Sequence, residues 1–411
     1  MLRRFISLDK ALNEAIENTK IELSEERVSI DQASYRILAE DIIAPIDIPP
    51  YDRSAVDGYA VRAEDTFGAS STNPIPLKLK GEVLFDSDRN SLCVNEGEAI
   101  RISTGVPIPQ GANAVIMLED TYIENDKVYV LKAVAKYENV SRRGEDIKKG
   151  DTVIEKGTLL KPWHIAALAA LGIDTVRVYR KVRIGVVAIG SEVVEPSEGI
   201  QAYFRGKVLN STARLVVELL NRYKFIDVKY YGIVSDDEME IRTKVAKVLE
   251  ERDAVITTGG TGVSYHDIVV KAVEGIDGRI LVRGIAIRPG RPTSIAVLSG
   301  KPIFMLSGFP VAAYIGVEMI VLPYLIRKLK IRGFEKMRVK AVLTHRIYNV
   351  VGYRSFIRVR VFKCGEKICA EPIALRGSGI LSSLLKSNGI LIIPENIEGY
   401  EKGSEVWIEI M

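Results

Sequence analysis

The chain has 411 residues, of which 47% are hydrophobic and 27% charged. That is ordinary soluble usage and excludes a disordered chain, a collagen or a coiled-coil rod. Lys plus Arg number 57 against 53 Asp plus Glu, a net +4 too small to indicate nucleic acid. Three cysteines (Cys93, Cys364, Cys369) cannot build a disulfide framework, and three scattered histidines cannot form a multi-His metal centre. The opening MLRRFISLDK carries no apolar h-region, so a cytoplasmic location with reduced thiols is expected. The apolar stretch 302–326 is interrupted by Pro310, Glu318 and Pro323, and reads as strand, loop and packed helix with no membrane span.

In chain order, Leu8, Ala11, Leu12, Ala15 and Ile16 follow Ser7 at helical spacing, and a second helix is expected from about Ile30 to Ala39. Pro45, Pro49 and Pro50 make 45–61 extended. Short strands with turns fill 73–135, then an Ala-rich helix at 162–171 that could return to the N-terminal helices. Strand and helix alternate over 180–327: VRIGVVAIG, STARLVVELLNR, DVKYYGIV, DDEMEIRTKVAKVLEE and DAVITT. This alternation is the signature of a mostly parallel, doubly covered sheet. Ser235 and Glu238 are expected to box the helix that follows. From 331 onward the pattern is strands again: KAVLTHRI, FIRVRVF, KICAEPI, GILIIP and EVWIEI.

Ligands of an open parallel sheet bind beyond the carboxyl ends of its strands, and three such ends carry special residues. Glu192 lies in AIGSEVVEP, three glycines crowd TTGGTGVSYHD, and FMLSGFP turns into an apolar helix. Glycine lets backbone N–H groups approach phosphate, and Glu192 with Asp267 supplies oxygen donors suited to Mg²⁺. A tight strand-to-helix turn explains the glycine run equally well. In IRPGRP, Arg288 and Arg291 flank a stiff Pro-Gly turn and could converge on one anion, or mark a solvated hairpin. Asp57 and Gly58 in SAVDGYAV fit an Asx turn as well as a site.

These segments occur in one order, and together they resemble a known family. PPYDRSAVDGYAV, RISTGVPIPQGANAVIMLED, RRGEDIKKGDTVIEKG, VITTGGTGVSYHD, IRPGRP and LSGFPVAAY are similar to the ordered signatures of the molybdopterin molybdenumtransferases, which include the gephyrin E domain. Ser191, Ser307 and Phe309 stand where that family usually has Asp, Pro and Asn, and Arg288 and Arg291 stand for lysines.

The resemblance implies a multidomain α/β plus β fold. Its parts are a helical, extended first domain (1–45 and 141–178), an inserted small β domain (46–140), an α/β pterin-binding domain (179–328) and a C-terminal β-barrel-like domain (329–411). It implies insertion of molybdenum or tungsten from the oxyanion into adenylylated molybdopterin, with AMP released and Mg²⁺ required. It also implies a homodimer, with the preceding adenylyltransferase as a possible partner.

On this reading Asp57, Thr104, Asp146, Glu192, Asp237 and Asp267 are catalytic, with Glu192 and Asp267 also the metal ligands. Asp57 and Thr104 would reach the site across the dimer interface. Gly259, Gly260, Thr261, Gly262, Ser264, Arg288, Arg291, Ser307, Gly308, Pro310, Arg358 and Ser378 would bind substrate. The 257–267 loop also resembles that of molybdopterin adenylyltransferases, which leaves ATP-dependent adenylylation as an alternative. A dimeric scaffold without catalysis is another.

Overall fold

The computed structural model describes residues 5–85, 93–260, 267–374 and 377–411. The chain divides into two units, Glu40–Lys156 with Pro162–Thr175, and Met1–Ala39 with Gly157–Lys161 and Val176–Met411.

Helix α1 (Leu8–Asn18) begins where the Ser7 side chain accepts the Lys10 N–H, and buries Leu8, Ala11, Leu12 and Ala15. It ends where Thr19 Oγ1 donates back to Ala15 O, 2.5 Å away. The second expected helix is a correction: residues 25–29 form a strand and only Ile30–Ala33 make a helical turn. The reason is competition for the backbone. Tyr35 takes a positive φ, and the N–H groups of Leu38 and Ala39 donate to Thr158 O and Arg177 O instead of to a helix.

In the unit at Glu40–Lys156, strands β1 (Gly58–Val61), β2 (Ile75–Val83), β3 (Glu98–Ile102), β4 (Ala114–Met117), β5 (Thr121–Glu124) and β6 (Lys127–Val130) form one sheet. Its order is β4-β1-β3-β2-β6-β5. Tyr59, Val61, Ala99, Ile116 and Val128 core one side, and Ala60, Ile100, Ile102 and Val115 the other. This is the period-two alternation of strands packed on both faces. Helix α2 (Pro162–Ala170) belongs to this unit, not to the one containing α1.

In the other unit the alternating segment folds as read. Strands β7 (Val182–Ile189), β8 (Ile226–Val234), β9 (Ala254–Thr258), β10 (Arg279–Arg283), β11 (Ser294–Leu298) and β12 (Lys301–Leu306) alternate with helices α3 (Thr212–Asn221), α4 (Glu238–Glu251) and α5 (Ile268–Glu274). The sheet order is β8-β7-β9-β12-β11-β10. Its first four strands are parallel, and β11 and β10 run antiparallel on one edge. β9 is buried throughout, as a strand covered on both faces must be. Helix α6 (Pro310–Lys328) has the length and apolarity to cross a bilayer, but 78% of that apolar stretch is buried inside the protein. It widens into a π-turn at Val317–Val321.

The C-terminal strands β13 (Arg338–Leu343), β14 (Arg354–Cys364), β15 (Lys367–Ala374), β16 (Gly389–Ile393) and β17 (Glu405–Ile410) pair in the order β14-β15-β13-β17-β16. Pairing of β16 back onto β14 closes a five-stranded barrel around Leu343, Val359, Ile393 and Ile408. One sequence expectation fails here. The β14–β15 hairpin register pairs Cys364 with Lys367 and Phe362 with Cys369, and brings the two cysteine Cα atoms to 5.9 Å. They form a disulfide, for which hairpin geometry supplies the spacing, where reduced thiols were expected. Cys93 stays free.

Candidate functional site

Parallel pairing places the carboxyl ends of β8, β7, β9 and β12 along one edge. The register aligns Ile189 with Val234, Ala188 with Thr258, and Thr258 with Leu306. Each strand then delivers its sequence-predicted residues to that edge: Asp237 after β8, Glu192 after β7, Gly259 and Gly260 after β9, and Ser307 to Pro310 after β12.

Two glycines are required there. Gly259 has φ +91°, and a Cβ at that position would lie 2.2 Å from Ile189 O. A Cβ at Gly308 would lie 3.2 Å from Gly259 Cα, so the turns after β9 and β12 touch backbone to backbone. Thr212 Oγ1 donates to Gly308 O at 2.6 Å and fixes the second turn from the start of α3. Thr261, Gly262 and Ser264 lie outside the described residues.

A cleft of about 530 Å³ opens beside the β12 turn. Arg288, Arg291, Ser307, Arg358 and Ser378 all line it. These residues are spread over 90 positions of sequence and meet for identifiable reasons. Arg288 pairs with Ser355 in a short parallel ladder that ties the Pro-Gly turn to β14. The Val311 N–H donates to Ser378 O at 3.1 Å and docks the 377–380 segment on the first turn of α6.

Arg358 is 2% exposed. It donates to Ser383 Oγ at 3.2 Å and to the carbonyls of Phe356 and Gly377 at 3.4 Å each, all neutral acceptors. Burial pulls its guanidinium below the usual arginine range. Among the described residues none of Arg288, Arg291 and Arg358 has a carboxylate partner. A desolvated cation facing a cavity without a counter-charge favours an anionic ligand.

The carboxylates are distributed differently. Glu192 is exposed, and its side chain makes no hydrogen bond or ion pair with the described residues. Asp267 is 2% exposed, and its Oδ1 caps α5 by accepting the Val270 N–H at 3.3 Å. Neither lines the cationic cleft. Asp237 is the N-cap of α4, accepting the Glu240 N–H at 2.9 Å. This corrects the expected Ser235–Glu238 box, since Ser235 Oγ donates to Glu240 Oε2 instead. Ser191 and Asp236 clamp the β7 and β8 ends together, N–H to Oδ2 at 2.8 Å and N–H to Oγ at 2.9 Å. Among the described residues no three His, Cys, Asp or Glu side chains gather into a metal cluster.

Asp57, Thr104 and Asp146 belong to the other unit. Pairing of Gly58 with Ile102 brings Asp57 beside Thr104, whose N–H and Oγ1 donate to Asp57 Oδ1 at 2.6 and 2.9 Å. These two donors hold the exposed Asp57 carboxyl below its ordinary range. Asp146 is exposed on the loop whose backbone pairs with Ile48.

Tyr348, Asn349 and Ser355 also line the cleft and were missed from the sequence. Asn349 carried no readable signal, because its amide is used to hold the Tyr353, Pro394 and Ile397 carbonyls.

Residues 6–172 match the MoeA N-terminal region (domain I and II), 185–327 the probable molybdopterin binding domain, and 340–410 the MoeA C-terminal region (domain IV). A putative molybdopterin biosynthesis protein of Methanocaldococcus jannaschii is 41% identical over 400 residues, spanning 96% of this chain and 93% of its own. A molybdopterin molybdenumtransferase of Staphylococcus epidermidis is 33% identical over 98% of this chain and 94% of its own. The crystal structure of the molybdopterin biosynthesis MoeA protein of Pyrococcus horikoshii superposes with a TM-score of 0.86 at 38% identity, covering 99% of this chain and 100% of that one.

Proposed function

Since this chain belongs to the MoeA family of molybdopterin molybdenumtransferases, we propose that it inserts molybdenum, or tungsten, into adenylylated molybdopterin and releases AMP. The observation that carries this reading is the cleft where Arg288, Arg291 and the buried Arg358 meet Ser307 and Ser378 with no carboxylate among the described residues. Such a set binds a doubly charged tetrahedral oxyanion, molybdate or tungstate, as substrate. The arginines hold it by charge and by forked donors, and the serines by hydroxyl donors. The Gly260 N–H at the neighbouring strand end is the backbone donor we assign to the phosphates, since the Gly259 N–H already donates to Leu306 O at 3.1 Å. The phosphoanhydride must lose AMP, which needs neutralised charge and a positioned oxygen nucleophile.

Glu192 and Asp267 are the carboxylates we assign to Mg²⁺. Their donor set is oxygen only, and Mg²⁺ is held by one or two carboxylates with phosphate and water completing its shell. When bound, the ion supplies positive charge at the phosphoanhydride. Glu192 fits without competition among the described residues, whereas Asp267 already uses Oδ1 to cap a helix. The same proposal takes the protein as a cytoplasmic homodimer that receives its substrate from an adenylyltransferase. Asp57 and Thr104 would then act from the partner protomer. Asp237 would support the strand edge as a helix cap.

The test supplies adenylylated molybdopterin, molybdate and Mg²⁺ to the purified protein. AMP release with retained molybdenum is expected, and EDTA should stop it. No AMP and no retained metal would reject the enzyme. Consumption of ATP with release of pyrophosphate from molybdopterin would instead identify an adenylyltransferase.

A further inference from the structure

Oxyanion binding leaves two features of the cleft unused. Phe309 is 57% exposed and Tyr348 67% exposed, and both line the cleft that holds the arginines. Single exposed aromatics need no explanation on a protein surface. Two in one cleft with three guanidinium groups that lack a carboxylate partner do, because a small oxyanion has no use for a ring face.

Both rings are held in place. Phe309 caps α6: its N–H donates to Ser307 Oγ at 3.3 Å and its carbonyl accepts the Ala313 N–H at 2.9 Å. Its ring lies close to the Gly379 backbone, where a Cβ would come within 3.1 Å of Cδ1 and 3.4 Å of Cε1. The ring therefore bridges the α6 turn and the 377–380 segment, with more than half of the residue still open. Tyr348 lies on a short strand paired with Gly399–Tyr400, and the Arg346 guanidinium sits 4.2 Å from its ring centroid. Rings already ordered by packing lose little entropy when a ligand stacks on them. The resemblance puts Asn where this chain has Phe309, a position at which a polar amide has become an aromatic wall.

We propose that Phe309, together with Tyr348, forms a stacking platform for a flat heteroaromatic ring of the substrate and orients it so that the attached anion meets the arginines. This inference rests on the molybdenumtransferase reading and adds to it a substrate-contacting role for two residues outside the oxyanion set. The substrate carries two such rings, pterin and adenine, with the same stacking chemistry.

The test titrates molybdate, AMP and neopterin monophosphate separately into the wild-type protein, Phe309→Leu, Phe309→Trp and Tyr348→Leu by calorimetry, with thermal midpoints recorded. Loss of one aromatic stacking face weakens a ring ligand by roughly 5- to 150-fold. Phe309→Leu should lose that much for one of the two ring ligands, and the ligand affected identifies the ring. Its molybdate affinity should stay within about twofold and its midpoint unchanged. Tyr348→Leu should lose affinity for the same ligand, and Phe309→Trp should retain it. Unchanged binding of both ring ligands by Phe309→Leu overturns the platform, as does equal loss for molybdate, which would mark a merely structural role. Wild-type protein that binds neither ring ligand overturns it too. These probes contain no dithiolene, so the platform can stand when AMP release fails, and AMP release can stand when the platform fails.

Discussion

Arg358→Met should make the unliganded protein more stable and the liganded protein less so. The guanidinium is 2% exposed and faces only neutral acceptors, at 3.2, 3.4 and 3.4 Å. Each bond lies at the long end of the range, so the three together contribute about 1–2 kcal/mol net. Against this stands the desolvation of a cation with no counter-charge, several kcal/mol after relaxation. Methionine fills a similar length without charge, and replacing buried ions by apolar groups of like volume typically gains 1–4 kcal/mol. We expect a gain of about 1–2 kcal/mol, or several degrees in the midpoint of the transition that melts the barrel.

Molybdate should reverse the order. At about one hundred times its Kd it adds roughly 2.7 kcal/mol to the wild type, and only about 0.4 kcal/mol to a variant whose affinity falls about 100-fold. Burial lowers the folded-state pKa of this base, so the cost of its charge is present at every pH below that lowered value. It shrinks only as pH rises through that value toward the unfolded one. The wild-type-to-variant difference should therefore be flat from about pH 6 to 8. Scanning calorimetry with and without molybdate reads both effects. A variant that melts lower than wild type in the unliganded state, and still gains from molybdate, would refute the idea that Arg358 is kept for a ligand's sake.

Three further outcomes follow from the same structure. Thr104→Val removes one of two donors to Asp57, so the Asp57 titration followed by carboxyl carbon NMR should move up toward its ordinary value; no movement would contradict the clamp. Because that pKa is depressed in the folded state, the clamp is complete above the ordinary carboxyl range and is lost as pH falls through the depressed value. Gly259→Ala places a Cβ 2.2 Å from Ile189 O at a positive φ, and should cost about 2 kcal/mol or more by chemical denaturation; a neutral result would mean that the turn relaxes freely. Lys336→Met leaves Glu318, 5% exposed and 2.8 Å from that ammonium, buried without its cation. About 3–5 kcal/mol should be lost. The double variant with Glu318→Leu should recover most of it, and failure to recover would place the cost elsewhere.

The sheet edge was legible because strand periodicity, glycine punctuation and the rule that ligands sit at carboxyl ends all act locally. What brings Arg288, Arg358 and Ser378 together is not local. It depends on the parallel ladder between Arg288 and Ser355 and on the bond from Val311 to Ser378, neither of which leaves a trace in spacing. Only the ordered resemblance of whole segments reached those residues. Errors arose where a local rule met a tertiary competitor. Residues 30–39 have helical composition, but the N–H groups of Tyr35, Leu38 and Ala39 are claimed by the carbonyls of Leu160, Thr158 and Arg177. Ser235 has the cap signature, but Asp237 immediately precedes α4 and accepts the Glu240 N–H. The expectation of reduced thiols fails at Cys364 and Cys369 because a hairpin register, not a motif, sets their separation. Phe309 read only as a departure from a pattern, since a stacking wall is visible only once its surroundings are known.

The choice of cation at 358 follows from the same burial that hides it. A buried amine can lose 3–5 pKa units, enough to take a lysine from about 10.4 to near neutrality and leave that position uncharged when the cleft is empty. Arginine starts some two or more units higher, so the same desolvation lowers its pKa without removing its charge at working pH. At Arg288 and Arg291, which are half-buried and exposed, lysine would keep its charge, and the family pattern that this chain resembles does carry lysines there. Guanidinium groups at those positions change geometry, not charge: each offers a fixed fork of donors where an ammonium offers a point. Charge retention is therefore decided at the buried position and donor geometry at the open ones. An oxyanion entering this cleft is oriented by the two open arginines and held at depth by a cation that cannot be titrated away.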